Sequence, residues 1–564
     1  MALREIAVAS WRTHTLPRWA VAWVLLAAPL AFVALFLVYP LEGIVQQSFF
    51  GENGSLAGLK PLVEDTYFLE RAWFSLWEAA VSTVLTLLVA LPCAWAIARH
   101  EFRGKSLLVA IITVPFVMPT IVVAVAFTAL LGPQGAVNSV LRGLPGVGGT
   151  PVDLMNTIWI ILLAHVFYNF GVVARIVAAS WSGIDSRVDD AAAMLGAGPV
   201  RRFVTVTLPL LRTPILAAAS LVFLFCFTSF GVILVLGGPQ YNTVETEIYR
   251  ETIFQFRLPV AAALAICQLV FTFVVMWAYT WLQQGAASGG IHDAPRRSPP
   301  ARERWLTGLV AMAMALIVLL PVGALVERSF HAAGGYTLEY YRLLGQNLQN
   351  QAIFVEPLPA IGHSVGFAAL TVLFAVPLGT LAAYGSVRAG RRSHWVESAV
   401  LLPLGASAVT LALGFIVTFD KAPLNLRGTW WLLVIAYTLV AFPFVMRTVL
   451  AQLRGMDEHV REAARMLGAG PLRVFLEVDL PLTWRSMAAG AVFAFAIAMG
   501  EFGATLLLTR PEWATMPVAI YRLLGRPGDV NYGQSLAMSS ILMGVTVVAF
   551  VLIDRLRVRN AGVF

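Results

Sequence analysis

The sequence has few charged residues. Asp, Glu, Lys and Arg make up 12% of its 564 residues, whereas hydrophobic residues make up 59%. Soluble globular domains carry about 25% charged residues, so this deficit argues against an ordinary soluble domain. The composition is typical of a protein that crosses a membrane many times.

Cysteine is scarce as well. The three cysteines, Cys93, Cys226 and Cys267, lie inside apolar runs, and the sequence has no CxxC pair or Cys/His cluster. Neither a disulfide framework nor a zinc site is supported, and we expect no bound metal. The lack of a nucleophile elbow and of a convergent His/Asp/Glu cluster argues against a membrane enzyme.

An ATP-binding loop is also missing. Gly104-Lys105-Ser106 ends like a P-loop, but Arg99 stands where that motif requires its first glycine. We therefore expect the chain to bind no cofactor and to hydrolyse no ATP. Basic cytoplasmic loops explain the net charge of +8 better than nucleic-acid binding does, so no nucleic-acid partner is expected.

Long apolar runs are abundant, and twelve spanning α-helices fit them. The first run, from Trp19 to Tyr39, can cross a hydrocarbon layer of ~30 Å, and it is too long for a signal peptide. No alternating strands suggest a barrel. The predicted spans are 19–40, 74–98, 106–131, 156–180, 214–236 and 258–282 in one half, and 305–326, 363–387, 396–418, 429–450, 486–508 and 535–554 in the other.

A polar stretch occurs twice, 272 residues apart, at residues 190–199 and 462–471. The same offset relates residues 175–249 to residues 447–521 without a gap, including Phe230-Gly231 and Phe502-Gly503. Such a repeat indicates two related halves. Each half has an even number of predicted spans in the same order, so the repeat is parallel rather than inverted.

The repeat and the loops divide the chain. We predict a first half at 1–283, a flexible cytoplasmic linker at 284–304, rich in Gly, Pro, Ser and Arg, and a second half at 305–564. Lys and Arg concentrate in one set of connections, which places both termini and both polar repeats in the cytoplasm. Loops 41–73 and 327–362 are then external, as are Thr243, Glu245, Glu247, Thr515 and Tyr521, which could meet a binding protein or cap the pathway.

Each polar repeat predicts a short helix-turn-helix outside the membrane. The first begins with an acid at Asp190, which suits the helix dipole, and ends at Gly196 and Gly198-Pro199. A second short piece runs from Val200 to Thr207 and ends at Leu208-Pro209. An ordinary cytoplasmic loop or an interfacial helix is the alternative, but it does not explain why the pattern occurs twice.

The pattern resembles the EAA motif of permease subunits of ABC importers. The matching residues are Asp190, Ala191, Ala192, Gly196, Leu208 and Pro209 in loop 181–213, and Glu462, Ala463, Ala464, Gly468, Leu480 and Pro481 in loop 453–485. Asp190 departs from the motif's Glu but keeps its charge. The resemblance implies an all-α type I importer fold in which these loops are coupling helices that dock on ATPase subunits.

The resemblance also implies partners and a location. Two copies of a separate cytoplasmic ABC ATPase would use ATP and Mg, and an extracytoplasmic substrate-binding protein would deliver the solute. The chain would lie in the lipid bilayer of the bacterial plasma (inner) membrane as a multi-pass protein.

Polar residues inside predicted spans are candidates for the substrate pathway. They are Glu501, its counterpart Ser229, and Thr228, His165, Tyr168 and Asn169. Glu501 is the strong intramembrane acid, and a carboxylate facing a central path would favour a cationic solute. A structural role in packing or hydrogen bonding remains open for each of them.

The resemblance is to the thiamine and ferric-iron group of importers. Residues 161–169 and 225–240 resemble thiamine permeases more, whereas the second half fits the ferric-iron members equally well. Thiamine or its phosphates and ferric iron therefore both remain as substrates. A gradient-driven secondary transporter with two parallel six-helix repeats is the alternative class, but it needs a charge relay in the membrane and no matching cytoplasmic loops.

Overall fold

The computed structural model describes residues 18–50, 58–286, 301–332, 335–346, 356–390, 393–420 and 424–556. These residues are almost entirely helical, apart from one pair of short antiparallel strands, β1 (His331–Ala332) and β2 (Gly335–Tyr336). Within them, eleven helices are long and apolar enough to cross a membrane, and one bent pair of helices would make a twelfth. The all-α polytopic fold is confirmed.

The first half begins with a long helix, α1, made of Arg18–Val33, a π-turn at Ala34–Val38, and Tyr39–Phe50. Its next helices are α2 (Leu59–Glu64), α3 (Thr66–Arg99), α4 (Lys105–Val117), α5 (Thr120–Leu131), α6 (Ala136–Arg142), α7 (Ile158–Ser182) and α8 (Ser186–Met194). The last helices are α9 (Pro199–Arg202, a π-turn at Phe203–Thr207, and Leu208–Phe227), α10 (Gly231–Leu236), α11 (Val244–Ile253) and α12 (Leu258–Ala286).

The second half repeats this order. Its helices are α13 (Ala301–Ser329), α14 (Glu339–Leu343), α15 (Pro357–Arg388), α16 (Ser393–Leu401), α17 (Ala408–Thr418), α18 (Trp431–Gly455) and α19 (Glu458–Met466). They are followed by α20 (Pro471–Val474, a π-turn at Phe475–Asp479, and Leu480–Gly500), α21 (Gly503–Leu508), α22 (Met516–Leu524) and α23 (Asp529–Leu556).

Four predicted spans are interrupted in the structure. Span 106–131 is α4 and α5, span 396–418 is α16 and α17 bent by 91°, and spans 214–236 and 486–508 break after Phe227 and Gly500. The first break follows from Pro119, because the residue before a proline is disfavoured in helical conformation. Met118 is indeed extended, with ψ 139°. Hydropathy cannot reveal such breaks, because both sides of each are equally apolar.

The predicted loops are shorter than expected. Much of 41–73 is helical, since α1 continues to Phe50 and α3 starts at Thr66, and loop 327–362 is shortened by α13 and α15. The ends of the predicted linker, 284–286 and 301–304, are helical, and its middle lies outside the described residues. Apolar windows find only the lipid-crossing part of a helix, so they miss polar turns at its ends.

The first helix of each half packs on the opposite half. Helix α1 lies against α15 and α17, and α13 lies against α5. The backbones approach closely at glycine, as is common between membrane helices. A Cβ added to Gly385 would lie 2.5 Å from Cγ of Leu26, and one added to Gly414 would lie 2.9 Å from Cβ of Pro40.

This packing makes Gly385 sensitive to substitution. We expect Gly385→Val to destabilise the protein by about 1–3 kcal/mol, because the added atoms overlap Leu26 on α1. Thermal unfolding in detergent micelles measures the effect. Gly366→Val is the matched control on α15, because nothing lies within 4 Å of a Cβ at that position. Equal melting temperatures for the two variants would contradict the close contact between α1 and α15.

Candidate functional site

The two polar repeats form equivalent short helices, α8 and α19. Each is capped by an aspartate: the Asp185 carboxylate accepts the N–H of Arg187 at 2.9 Å, and the Asp457 carboxylate accepts the N–H of His459 at 3.0 Å. The His459 backbone N–H and imidazole lower the pKa of the Asp457 carboxyl. The start of α8 was predicted at Asp190, and that prediction was wrong. The helix begins at Ser186, because Asp185 supplies the cap.

Each short helix ends at a left-handed glycine, Gly196 with φ +81° and Gly468 with φ +84°. A residue with a Cβ would be strained there. Nothing lies within 4 Å of a Cβ at either position, so the glycines are required by the backbone conformation and not by packing within the chain.

The helix that follows each repeat is continuous with a spanning helix. The predicted piece 200–207 does not end at Leu208-Pro209, because α9 runs on through a π-turn at Phe203–Thr207. Helix α20 does the same through Phe475–Asp479, two residues before Pro481. Since proline lacks an N–H and crowds the preceding turn, a widened turn lets the helix continue. Each polar repeat is therefore followed by one unbroken helix that runs into the bundle.

An ion pair fixes each short helix to the base of its spanning helix. Asp189 on α8 accepts from Arg202 at 3.2 Å, and Arg461 on α19 donates to Asp479 at 2.7 Å. Positions 189 and 461 are equivalent in the repeat but carry opposite charges. Their partners Arg202 and Asp479 stand at non-equivalent positions, so each half joins the short helix to the following helix by a different ion pair.

The ends of both short helices expose large apolar side chains. Met194, Leu195 and Met466 are 89% exposed, and Leu467 is 88% exposed. They stand at matching positions next to Gly196 and Gly468. Ala191 and Ala463 are exposed on the same helices. The EAA residues are thus presented on two matching polar loops, each tipped by an apolar pair that this chain leaves uncovered.

The four helix breaks meet at the centre of the bundle. A Cβ on Gly500 would lie 3.1 Å from Cγ of Pro119, so the breaks before α5 and α21 touch. The rings of Phe230 and Phe502 lie 5.6 Å apart, and each contacts a tyrosine on the following short helix of its own half, Tyr249 at 5.5 Å or Tyr521 at 5.6 Å. These four aromatic side chains are called the aromatic constriction below.

The repeated Phe-Gly pairs explain how the two halves pack together at the constriction. A Cβ on Gly231 would lie 3.2 Å from Cδ1 of Phe502, and a Cβ on Gly503 would lie 3.6 Å from Cδ1 of Phe230. Each ring therefore lies against the glycine of the opposite half. The sequence repeat identified these positions but not their contact across the halves.

A buried polar cluster contacts the break between α9 and α10. His165 is 2% exposed and Glu78 is fully buried. The Nδ1 of His165 lies 2.7 Å from Oε1 of Glu78, and its Nε2 lies 2.9 Å from Oγ of Ser229. Ser82 donates to the same Glu78 oxygen at 2.6 Å. His165 and Ser229, both predicted site residues, are thus brought together.

Sequence reasoning missed Glu78. The sequence predicts Glu501 as the strong intramembrane acid, but Glu78 also lies inside a spanning helix and is fully buried, whereas Glu501 is partly exposed. Glu78 falls within the predicted span 74–98, so its position in an apolar segment was a usable signal.

The equivalent cluster of the second half is different. Tyr437, which replaces His165, shares a hydrogen bond of 2.6 Å with Thr505, and Thr505 donates to Glu501 at 2.9 Å. The Glu501 carboxylate also accepts the N–H groups of Ala504 at 3.2 Å and Thr505 at 3.1 Å. Glu501 therefore caps α21 and satisfies backbone groups released by the break, while remaining partly exposed.

The remaining predicted pathway residues lie near the first cluster. Asn169 donates to the His165 carbonyl at 3.0 Å, and Thr228 donates to the Leu224 carbonyl at 2.9 Å. The Tyr168 ring lies 6.2 Å from that of Phe116. Thr228 and Tyr168 are partly exposed, whereas Asn169 is buried.

Four residues predicted to be external are buried instead. Thr243, Glu245, Glu247 and Thr515 are each at most 2% exposed, because α11 and α22 pack into the bundle. Glu245 accepts from Gln268 on α12 and reaches Ser407 and the Val409 backbone of the opposite half. Glu245 thus joins the two halves, and the burial of all four side chains removes them from the surface that a binding protein could contact.

The fold is that of a type I ABC importer permease: two parallel helical halves, each with a polar helical loop between spanning helices. The family described as binding-protein-dependent transport system inner membrane component matches residues 87–288 and again 375–560, and the chain belongs to it as an ABC importer permease subunit. Two copies of the family domain therefore stand in one chain, as the internal repeat predicts. The protein is a multi-pass inner membrane protein.

Several relatives match the chain over most of its length. The chain is 27% identical to the thiamine transport system permease protein ThiP of Brucella abortus (strain 2308) over 87% of this chain and 88% of that protein. It is 26% identical to the ThiP protein of Haemophilus influenzae over 92% and 93%, and 25% identical to that of Escherichia coli (strain K12) over 88% and 90%.

The constriction predicts unequal effects of two equivalent substitutions. A Cβ on Gly231 would lie 2.5 Å from Oγ1 of Thr120, whereas the nearest atom to a Cβ on Gly503 is Cβ of Ala408 at 3.3 Å. We expect Gly231→Ala to lower stability by about 1 kcal/mol more than Gly503→Ala. Thermal unfolding of both variants under the same conditions tests this, and the reverse order would contradict the packing at the constriction.

Proposed function

We propose that the chain is the membrane subunit of an ATP-driven importer that receives its solute from a binding protein. The observation that carries this is the pair of matching polar loops, each with an EAA motif and an exposed apolar tip, joined by a continuous helix to the central constriction. A secondary transporter has no use for two such loops.

The loops are the proposed docking sites for two copies of a cytoplasmic ABC ATPase. The coupling residues are Asp190, Ala191, Ala192, Gly196 and Pro209 in the first half, and Glu462, Ala463, Ala464, Gly468 and Pro481 in the second. Small alanines allow close approach of a partner surface, and the apolar tips add contact area that water would otherwise surround. ATP and Mg would be used only in those partner subunits.

The aromatic constriction is the proposed closed point of the pathway. Closure of the two ATPases would draw α8 and α19 together and move α9 and α20. Phe230 and Phe502 lie in the breaks that directly follow these two helices. Polar residues beside the constriction, Ser229 and Glu501 among them, would then face the solute. The orientation follows from the basic loops, with both termini and both coupling loops in the cytoplasm.

A cationic solute is proposed, with thiamine or its phosphates favoured. Support comes from several relatives of similar length that are named as thiamine permeases, and from Glu501 beside the constriction. Ferric iron is the second candidate, because a carboxylate favours either cation. Calorimetry of the partner binding protein with thiamine, its phosphates and ferric iron separates the two.

Reconstituted transport tests the mechanism. The chain is incorporated into liposomes with its ATPase and binding protein, and uptake of radiolabelled thiamine is followed. We expect uptake to require ATP and to persist when a protonophore abolishes the proton gradient. Uptake that ignores ATP and collapses with the gradient would instead support a secondary transporter.

The apolar tips give a sharper test of docking than the glycines do. Gly468 has positive φ, so any substitution there also strains the loop. Leu467 is 88% exposed, and we expect Leu467→Glu to weaken ATPase binding by about tenfold or more while leaving folding intact, since a buried apolar contact is replaced by a charge.

Co-purification of the ATPase with the variant, and ATP hydrolysis by the complex, measure this effect. Val63→Glu is the matched control, because Val63 is 77% exposed but lies at the opposite end of the bundle. Normal ATPase binding by Leu467→Glu would refute the docking assignment.

A further inference from the structure

We propose that Glu78 and His165 are positioning residues for transport, which hold Ser229 and thereby Phe230 in the closed constriction. The inference rests on the proposed function of the constriction as the closed point of the pathway. It assigns a specific task to a buried charged pair that packing alone does not explain.

The contacts form a continuous chain from α3 to the break in α9. Because a carboxylate only accepts hydrogen bonds, Nδ1 of His165 donates to Oε1 of Glu78, across 2.7 Å. The opposite ring nitrogen, Nε2, lies 2.9 Å from Oγ of Ser229. Ser229 stands directly before Phe230, in the segment where α9 has ended and α10 has not begun.

Other contacts of that segment hold it to the end of α9 and to the constriction itself. The N–H groups of Thr228 and Ser229 donate to the carbonyls of Leu224 and Cys226, and the Phe230 ring packs against Phe502 and Tyr249. Ser229 offers a side-chain tie to a neighbouring spanning helix. Glu78 fixes the orientation of the His165 imidazole, as a hydrogen-bonded carboxylate does for histidines at many functional sites.

The second half builds equivalent helix packing without such a pair. Ser75 accepts the N–H of Val244 at 2.9 Å, and Ser364 accepts the N–H of the equivalent Met516 at 2.7 Å. Ser75 on α3 and Ser364 on α15 therefore occupy equivalent positions. Three residues after each serine, Glu78 in the first half corresponds to Phe367 in the second. The second half thus builds the same helix packing with an aromatic residue in place of the carboxylate.

The cluster is also not arranged for stability alone. Oε2 of Glu78 and Oδ1 of Asn169 are buried without a hydrogen-bond partner. Buried ion pairs add little net stability compared with apolar residues of similar size, and unsatisfied acceptors make the balance worse. A role in positioning the break explains why the first half has this cluster although the second half has other residues at the same positions.

Two serine variants separate positioning from packing. Ser229→Ala and Ser220→Ala each remove one serine hydroxyl, but Ser220 lies outside the cluster and donates to the Leu216 carbonyl within its own helix α9. In liposomes that contain the chain without ATPase, ATP or binding protein, we expect Ser229→Ala to increase passive efflux of loaded radiolabelled thiamine about tenfold, as expected for one lost hydrogen bond. Ser220→Ala should stay within about twofold of the unmodified chain.

Glu78→Gln should raise efflux as Ser229→Ala does, and Glu78→Gln combined with Ser229→Ala should add nothing further, because both changes cut the same tie. Equal efflux from the two serine variants, whether low or high, would overturn the proposal. Thermal unfolding of each variant identifies loss of folding, and Ser229→Ala keeps the proposal testable if Glu78→Gln does not fold.

The assay is independent of ATP coupling. If the unmodified chain shows no ATP-driven uptake, the proposed importer function fails, yet the efflux comparison still reports whether Ser229 closes the pathway. If uptake is normal and the serine variants do not differ, only the positioning role fails.

Discussion

Hydrocarbon cannot hydrogen-bond a broken helix, and that constraint governs the centre of this protein. Four helices are interrupted inside the apolar part of the bundle, and each interruption frees N–H and C=O groups that lipid cannot satisfy. The breaks can exist only where the two halves cover one another. The glycines, prolines and aromatic rings at the centre provide that cover, and side chains such as Ser407 and Glu501 supply the missing hydrogen-bond partners.

The two halves share one backbone arrangement but use different residues to satisfy the polar groups at the breaks. Position 165 is histidine in the first half and tyrosine at 437 in the second, and Ser229 is replaced by Glu501. Both sets satisfy the groups around a break, one by a tie to neighbouring helices and the other by a cap on the following helix. Equivalent backbone with unequal chemistry gives the constriction two chemically different sides.

The sequence predicted the fold class, the two-fold repeat and the polar loops, because these depend on periodicity and composition. It did not predict the helix breaks, since the residues on both sides of Met118-Pro119 and of Phe227 are equally apolar. It placed Glu245 and Glu247 outside the bundle, because charge in a short connection normally faces water. Glu245 is buried by Gln268 and by the opposite half, and Glu247 is bonded to Tyr67 on α3. These partners are distant in the sequence and leave no local pattern.

Glu78 and His165 illustrate the same limit at the candidate site. Each residue alone is an isolated polar side chain in an apolar helix, and the residues next to it in the sequence do not indicate its hydrogen-bond partner. Their separation of 87 positions is bridged only when α3 and α7 pack side by side. The Phe-Gly pairs were visible as a repeat, but the contact between the ring of one half and the glycine of the other requires the pseudo-symmetric arrangement.

The packing of α1 on α15 and α17 bears on how the protein is made. During synthesis the first half leaves the ribosome before any of its counterpart exists, so the glycine-matched face of α1 has no protein surface to cover it. Gly385 and Gly414 become available only after most of the chain has entered the membrane. Until then α1 must rest against lipid or insertion machinery, and the first half completes its structure by capturing helices that are translated hundreds of residues later.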